Sequence, residues 1–125
     1  MIFFVQRIPM DKIYYLASCD TCRKIIKSLP NPDKLEFHDI RQSPLTEAEV
    51  DDMKKLAGSY AALFSRKAQL YKSLGLKDQT LTEADYKKYL LEHYTFLSRP
   101  VFIIDGKIYI GNSQKNVNEV ISVLR

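Results

Sequence analysis

The sequence of 125 residues is poor in the residues that build metal sites and disulfide frameworks. It contains two cysteines, two histidines and no tryptophan. Two cysteines are too few for the disulfide framework of a small secreted domain and too few for a four-ligand zinc site. His38 and His93 stand far from each other and from the cysteines in sequence, so we expect packed or surface histidines and no metal site. The remaining explanations for the two cysteines are redox chemistry and a spacing that arose by chance.

Long apolar runs and clusters of one charge sign are also missing. The early apolar run from Met1 to Val5 is broken by Gln6, which makes it too short for a membrane span or a signal peptide. The formal net charge is +4, but basic and acidic residues are interspersed along the chain. We therefore expect a cytoplasmic protein with no membrane segment and no direct binding of nucleic acid. A mild positive balance suits an anionic substrate.

The first third of the chain predicts a βαβ unit. Lys12–Leu16 is a short apolar and aromatic run, which favours a buried strand. Residues 22–29 carry apolar side chains at helical spacing, and Pro30 ends the pattern. Residues 35–40 alternate apolar with polar side chains and predict a second strand.

The middle of the chain predicts helices. Two capping boxes, at residues 46–49 and 82–85, mark helix starts, because Thr at the N-cap and an acidic residue three positions later satisfy each other's backbone N–H groups. Gly58 ends the first of these helices. Residues 61–76 predict one or two further short helical pieces.

The last quarter of the chain returns to β-structure. Residues 101–104 and 107–110 are β-rich runs joined by Asp105-Gly106, a strong hairpin signal. Asn112 or Ser113 can then cap a last helix, whose apolar side chains recur at helical spacing from Val117 to Leu124. The resulting order predicts an α/β thioredoxin-like fold, with βαβ and ββα halves and a helical insertion at about residues 45–95.

We expect one domain over residues 10–125, since no linker separates the insertion from the two halves. Residues 1–9 have no clear place in this fold. They are expected to be a disordered lead, or to lie upstream of a start at Met10.

The strongest chemical signal is Cys19, in the motif Cys-x-x-Cys. It falls between the first strand and the first helix, where unpaired backbone N–H groups and the helix dipole favour an anion. Arg23 and Lys24 add positive charge one turn later, and such surroundings lower the pKa of a thiol. We expect Cys19 to be a nucleophile with Arg23 in support; the alternative is a small buried hydrophobic residue.

Cys22 is predicted one turn inside the same helix. From there it can close a disulfide with Cys19 and so resolve a mixed disulfide. The alternative is a core cysteine that faces the sheet.

Several segments together resemble the arsenate reductase and Spx-like family, and they occur in order from about Asp11 to the C-terminus. They are residues 18–24 (SCDTCRK), 37–41 (FHDIR), 65–67 (SRK), 97–101 (LSRPV) and 110–111 (IG). The Cys-Asp-Thr of residues 19–21 is most similar to a less characterised branch of that family.

The resemblance implies a nucleophilic Cys19, oxyanion-binding arginines at Arg66 and Arg99, and a cis proline at Pro100 in the substrate site. A guanidinium offers paired donors to an oxyanion, and X-Pro is the peptide bond that most readily adopts the cis form. Read without the resemblance, both arginines are solvated surface charges.

The activity that the resemblance implies is that of a glutaredoxin-like thiol oxidoreductase, an enzyme without a bound cofactor. Cys19 attacks arsenate or a glutathione disulfide, and Cys22 or glutathione resolves the product, with glutathione and glutaredoxin or thioredoxin as reductant. Tyr15 and Gly111-Asn112 stand where arsenate reductases of this type carry a histidine and a third arginine, which favours the Cys-Asp-Thr branch, for which glutathione-dependent thiol reduction is proposed. The alternative is an Spx-like regulator that binds RNA polymerase and uses the cysteines as a redox switch.

Overall fold

The computed structural model describes residues 11–125, so the predictions for residues 1–9 and for a start at Met10 lie outside the described residues. The described residues form four strands and five α-helices. In chain order these are β1 (Asp11–Tyr15), α1 (Asp20–Ser28), β2 (Leu35–Asp39), α2 (Glu47–Ala57), α3 (Gln69–Ser73), α4 (Glu83–Glu92), β3 (Val101–Ile104), β4 (Lys107–Ile110) and α5 (Gln114–Leu124).

The strands form one mixed sheet in the order β2-β1-β3-β4. β1 and β2 are parallel, whereas β1 pairs antiparallel with β3 and β3 antiparallel with β4. The parallel pair is the βαβ half and the hairpin with α5 is the ββα half, with α2, α3 and α4 inserted between them. This confirms the predicted α/β architecture and its helical insertion.

Each face of the sheet buries its own apolar cluster, because successive side chains of a strand point to opposite faces. Ile13 of β1 and Phe102 of β3 pack with α1 and α5 on one face. Tyr14 and Val101, one position along each strand, pack with the inserted helices on the other. The protein therefore has three layers, with the sheet in the middle.

The two capping boxes predicted for the insertion are present. Thr46 accepts a hydrogen bond from the Glu49 N–H at 3.2 Å, and the Glu49 carboxylate accepts one from the Thr46 N–H at 3.0 Å. Thr82 and Asp85 make the same pair of contacts at the start of α4. Gly58 adopts a φ of 94° at the end of α2, a left-handed conformation that favours glycine.

The segment between α2 and α4 is fastened to α4 by one carboxylate. Glu83 accepts hydrogen bonds from the backbone N–H groups of Tyr60 and Ala61, at 2.8 and 3.1 Å. A 3₁₀ turn at Ala61–Leu63 and the short α3 follow, as the prediction of short helical pieces requires. Within residues 11–125, no helix is long and apolar enough to cross a membrane.

Two valines of α5 test the packing of this helix against the sheet. Val120 is 0% exposed and belongs to the apolar cluster of Ile13 and Phe102, whereas Val123 is 47% exposed on the same helix. Val120→Ala removes two buried methyl groups and leaves a cavity, so we expect the free energy of unfolding to fall by about 2 kcal/mol. Val123→Ala is the matched control, with an expected change within about 0.5 kcal/mol. Urea denaturation measures both, and equal effects would contradict the described packing.

Candidate active site

The pairing of β1 with β3 brings the first cysteine close to the Arg-Pro segment. Tyr14 near the end of β1 lies opposite Val101 at the start of β3. The chain leaves β1 toward Cys19 at the same edge where it enters β3 from Arg99 and Pro100. Residues 80 positions apart in sequence therefore meet at one end of the sheet.

Cys19 is the N-cap residue of α1 and adopts an extended backbone conformation. Its N–H donates to the Leu16 carbonyl at 3.0 Å, and its carbonyl accepts the first helical hydrogen bond, from the Arg23 N–H at 3.1 Å. The side chain of Cys19 is partly exposed, while that of Cys22 is fully buried. The two thiols, three positions apart, therefore have different access to solvent.

Burial by itself would raise the pKa of the Cys19 thiol, but the surrounding groups outweigh it and the net pKa is lowered. The lowering comes from the Cys22 backbone N–H and thiol, then from the Arg99 guanidinium and the Thr21 N–H. For Cys22, burial raises the pKa to about 11, and the neighbouring Cys19 sulfur adds to the rise. The site thus favours a thiolate at Cys19 beside a neutral thiol at Cys22.

The cation that acts on the Cys19 thiol is Arg99, whereas the sequence suggested Arg23. Arg23 forms a salt bridge with Asp20 and donates from Nη1 to the Ala17 carbonyl at 3.1 Å. The cation that lowers the pKa of Cys19 is Arg99. Arg23 is thus engaged by a carboxylate one turn away, and its support of Cys19 stays a prediction.

Arg66 and Arg99 lie on two loops that are joined by a short antiparallel bridge between Phe64 and Leu97. The Ser65 N–H donates to the Phe96 carbonyl at 2.7 Å, and the Ser98 N–H donates to the Leu63 carbonyl at 2.8 Å. The bridge explains how residues 33 positions apart come to line the same cleft.

The guanidinium of Arg99 is held by backbone oxygens. Its Nη1 donates to the carbonyls of Thr95 at 3.3 Å and Leu97 at 3.4 Å. Its Nε is buried and has no hydrogen-bond partner among the residues that the structure describes. A buried donor without an acceptor is unfavourable by about 1–3 kcal/mol, and an anionic ligand is one group that can supply the acceptor.

Arg66 is held by a tyrosine hydroxyl. Its Nη2 donates to the Tyr86 oxygen at 3.0 Å, and this contact raises the pKa of Arg66 further above its ordinary value. The ring of Tyr86 packs against the apolar cluster on the insertion side of the sheet, and its hydroxyl reaches the loop that carries Arg66.

Cys19, Arg66 and Arg99 line one open cleft of about 620 Å³. The other lining residues come from the segments 64–69, 95–99 and 111–112. Lys67 is a third cation in this lining, and among the described residues that form the cleft there is no carboxylate. Sequence analysis assigned no role to Lys67, although its position beside Arg66 in the Ser-Arg-Lys segment was the available signal.

The Arg99-Pro100 peptide bond is cis, as the resemblance implied. Pro100 is fully buried and is not among the residues that line the cleft, so a direct contact with substrate stays a prediction. Its carbonyl accepts a hydrogen bond from the Gly111 N–H at 2.9 Å. Gly111 has a φ of 93°, and with Asn112 it forms one wall of the cleft.

The two histidines lie outside this cleft lining. His38 stacks on the ring of Tyr14 at 4.9 Å, and His93 contacts the Thr95 hydroxyl through Nδ1 at 2.8 Å. Both are packed side chains, as expected. Over residues 11–125, no group of three or more His, Cys, Asp or Glu side chains could hold a metal ion.

Comparison with known proteins agrees with this geometry. The model of the ArsC family matches residues 14–120. The chain belongs to the ArsC family. This confirms the resemblance drawn from the cysteine and arginine motifs.

The relatives of this chain include an arsenate reductase and a transcriptional regulator. The chain is 28% identical to "Uncharacterized protein YfgD" of Escherichia coli, over 88% of this chain and 95% of that one. It is 27% identical to an arsenate reductase of Haemophilus influenzae, over 87% and 97% of the two chains. It is 22% identical to the global transcriptional regulator Spx 2 of Bacillus anthracis, over 88% and 86%.

A solved structure supports the fold. The arsenate reductase from Vibrio cholerae superposes with a TM-score of 0.73 at 22% sequence identity, covering 88% of this chain and 96% of that chain. The thioredoxin-like prediction is therefore confirmed.

The lowered pKa of Cys19 predicts a pH dependence of its reactivity. The thiolate is the reactive form, so we expect the iodoacetamide rate to reach half its maximum below the ordinary pH of about 8.5. Arg99→Met removes a neighbouring charge and should move the midpoint upward by about 0.5 to 1 pH unit. Arg23→Met, which changes a cation already paired with Asp20, is the control and should leave it in place. An equal rise in both variants would instead give Arg23 the supporting role.

The placement of the two thiols predicts a reversible disulfide. Cys19 is the N-cap of α1 and Cys22 lies one turn inside the same helix, a spacing that suits the geometry of a disulfide. Diamide treatment should lower the mass by two hydrogens, and dithiothreitol should restore it. Cys22→Ser should show no such loss within a monomer. Two free thiols after diamide treatment of the wild type would leave Cys22 with a packing role alone.

Proposed function

We propose that this ArsC protein is a thiol oxidoreductase in which Cys19 is the nucleophile and arsenate or a glutathione mixed disulfide is the substrate. The observation that carries the proposal is the cleft itself. A thiol with a lowered pKa shares the cleft with three cations, and no carboxylate among the described lining residues competes for them. Such a site attracts an anion and stabilises negative charge as it develops.

With arsenate, the proposed chemistry proceeds in two steps. The Cys19 sulfur bonds to arsenic, and one arsenate oxygen leaves as water after taking up protons. A second thiol then attacks the Cys19 sulfur, and the electron pair of the sulfur–arsenic bond stays on arsenic, which is reduced from As(V) to As(III) and leaves as arsenite. The two sulfurs are oxidised together to a disulfide, so each supplies one electron.

Arg66 and Arg99 are the proposed oxyanion ligands. Both side chains line the same cleft as Cys19, and the guanidinium N–H groups that their protein contacts leave free are planar donors. Paired donors of this kind suit an oxyanion or a carboxylate. Lys67 adds a third positive charge to the same cleft.

The second thiol is either Cys22 or glutathione. Cys22 lies one turn inside the helix that Cys19 caps, and its thiol helps to lower the pKa of Cys19, which favours an internal disulfide. The raised pKa of Cys22, about 11, favours glutathione as the second thiol, because a neutral thiol is a poor attacking group near neutral pH. Glutathione with glutaredoxin, or thioredoxin, then restores the reduced enzyme, and a cytoplasmic location would supply these reductants.

The Spx-like alternative rests on the relative named Spx 2 and on the same pair of cysteines. In that role, the disulfide would change the affinity of the protein for RNA polymerase rather than complete a catalytic cycle. The cationic cleft around Cys19 favours the enzyme, because a redox switch needs no anion site beside its reactive thiol.

A coupled assay tests the proposal. NADPH consumption is followed with arsenate, and separately with a glutathione mixed disulfide, in a glutathione and glutaredoxin couple and in a thioredoxin couple. We expect turnover in at least one combination and its loss in Cys19→Ser. Arg66→Lys and Arg99→Lys keep the charge but lose the planar donors, so kcat/KM should fall by about tenfold or more in each.

Absence of turnover with both substrates and both reductants would reject the enzyme. A polymerase pull-down with reduced and oxidised protein then decides the alternative, since a regulator must be retained differently in the two redox states. Wild-type kcat/KM in both lysine variants would show that the arginines are solvated charges.

A further inference from the structure

A tyrosine hydroxyl holds Arg66 at the cleft. Arg66 lies in the turn between Phe64 and α3, and its guanidinium ends a long and flexible side chain. Among the described residues, the hydrogen bond that this guanidinium makes is to the Tyr86 hydroxyl, at 3.0 Å. Its carbon lies 5.8 Å from the centre of the Tyr86 ring. Tyr86 is therefore the main residue that directs Arg66, and Tyr71 is a second tyrosine that acts on the same guanidinium.

Tyr86 is itself firmly placed. Its ring meets the ring of Phe64 edge-on at 4.9 Å, and Phe64 stacks on the buried Phe96 at 5.1 Å. Its N–H donates to the Thr82 carbonyl at 3.0 Å in the first turn of α4, which the capping box stabilises. The hydroxyl thus extends from a helix and an aromatic stack rather than from a loop.

The chemistry of the holding group matters for an anion site. A phenol oxygen accepts one of the five guanidinium N–H groups without bringing a negative charge, so the positive charge of Arg66 stays available. Arg23 shows the contrasting case, because Asp20 binds its guanidinium and largely cancels its charge. The Tyr86 contact therefore orients Arg66 while its positive charge stays available.

We propose that Tyr86 is a positioning residue for the anion site: its hydroxyl orients the Arg66 guanidinium so that the remaining N–H groups face a ligand in front of Cys19. This inference rests on the proposed function, because it takes the cleft to bind an anion. Tyr86 is not among the residues that line the cleft, so it acts through Arg66.

Tyr86→Phe tests the inference, with Tyr89→Phe as the matched control. Tyr89 belongs to the same helix and packs on the same aromatic stack, with its ring 5.4 Å from that of Phe96, and its substitution removes an equivalent hydroxyl without touching Arg66. The readout is the protection of Cys19 from iodoacetamide by arsenate, and separately by sulfate. One lost hydrogen bond predicts an apparent dissociation constant about three to ten times larger in Tyr86→Phe, and a change below about twofold in Tyr89→Phe.

The same substitution in an Arg66→Ala background separates positioning from a general structural effect. If Tyr86 acts through Arg66, Tyr86→Phe causes no further loss of protection once the guanidinium is gone. An equal loss in both backgrounds, or none in the wild-type background, overturns the inference.

A measurement without any anion keeps this inference distinct from the proposed function. The ¹⁵N relaxation of the Arg66 Nε–H group in the free protein should show a more mobile side chain in Tyr86→Phe than in wild type or Tyr89→Phe. Unchanged mobility overturns the positioning role even if anions bind. Absence of protection in the wild type, with increased Arg66 mobility in Tyr86→Phe, rejects the anion site while showing that Tyr86 holds the arginine.

Discussion

The antiparallel pairing of β1 with β3 is the constraint on which the site depends. It joins the two halves of the fold at the centre of the sheet, and its register sets Tyr14 opposite Val101. Because β1 leads into Cys19 and Arg99 leads into β3, the pairing fixes the distance between thiol and guanidinium. The inserted helices then close the cleft from one face, through the bridge between Phe64 and Leu97.

The two arginines of the cleft are held by neutral groups. Arg99 donates to two backbone carbonyls and Arg66 to a phenol oxygen. Neither contact cancels the positive charge, whereas the exposed Arg23 is paired with a carboxylate. A site assembled in this way keeps its electrostatic attraction for an anion and also keeps its cations in place, which is the preorganisation that favours charge stabilisation in catalysis.

The two cysteines differ through burial rather than through their spacing. Both belong to the first turn of one helix. Cys19 lines the cleft together with Arg99, whereas Cys22 is buried in the interior. Their pKa values are therefore shifted in opposite directions. A thiolate beside a neutral thiol suits a nucleophile and its resolving partner.

The sequence by itself determined the helices, the strands and the place of Cys19, because period-two alternation, capping boxes and the Asp-Gly turn act between residues close in sequence. Family motifs added Arg66, Arg99 and the cis proline at Pro100. The tertiary structure alone decided which charge lies beside Cys19, that Lys67 joins the cleft, and that Tyr86 holds Arg66. These contacts join residues 20 to 80 positions apart, and the choice of a side-chain partner at such separations depends on packing between layers, which no local pattern encodes.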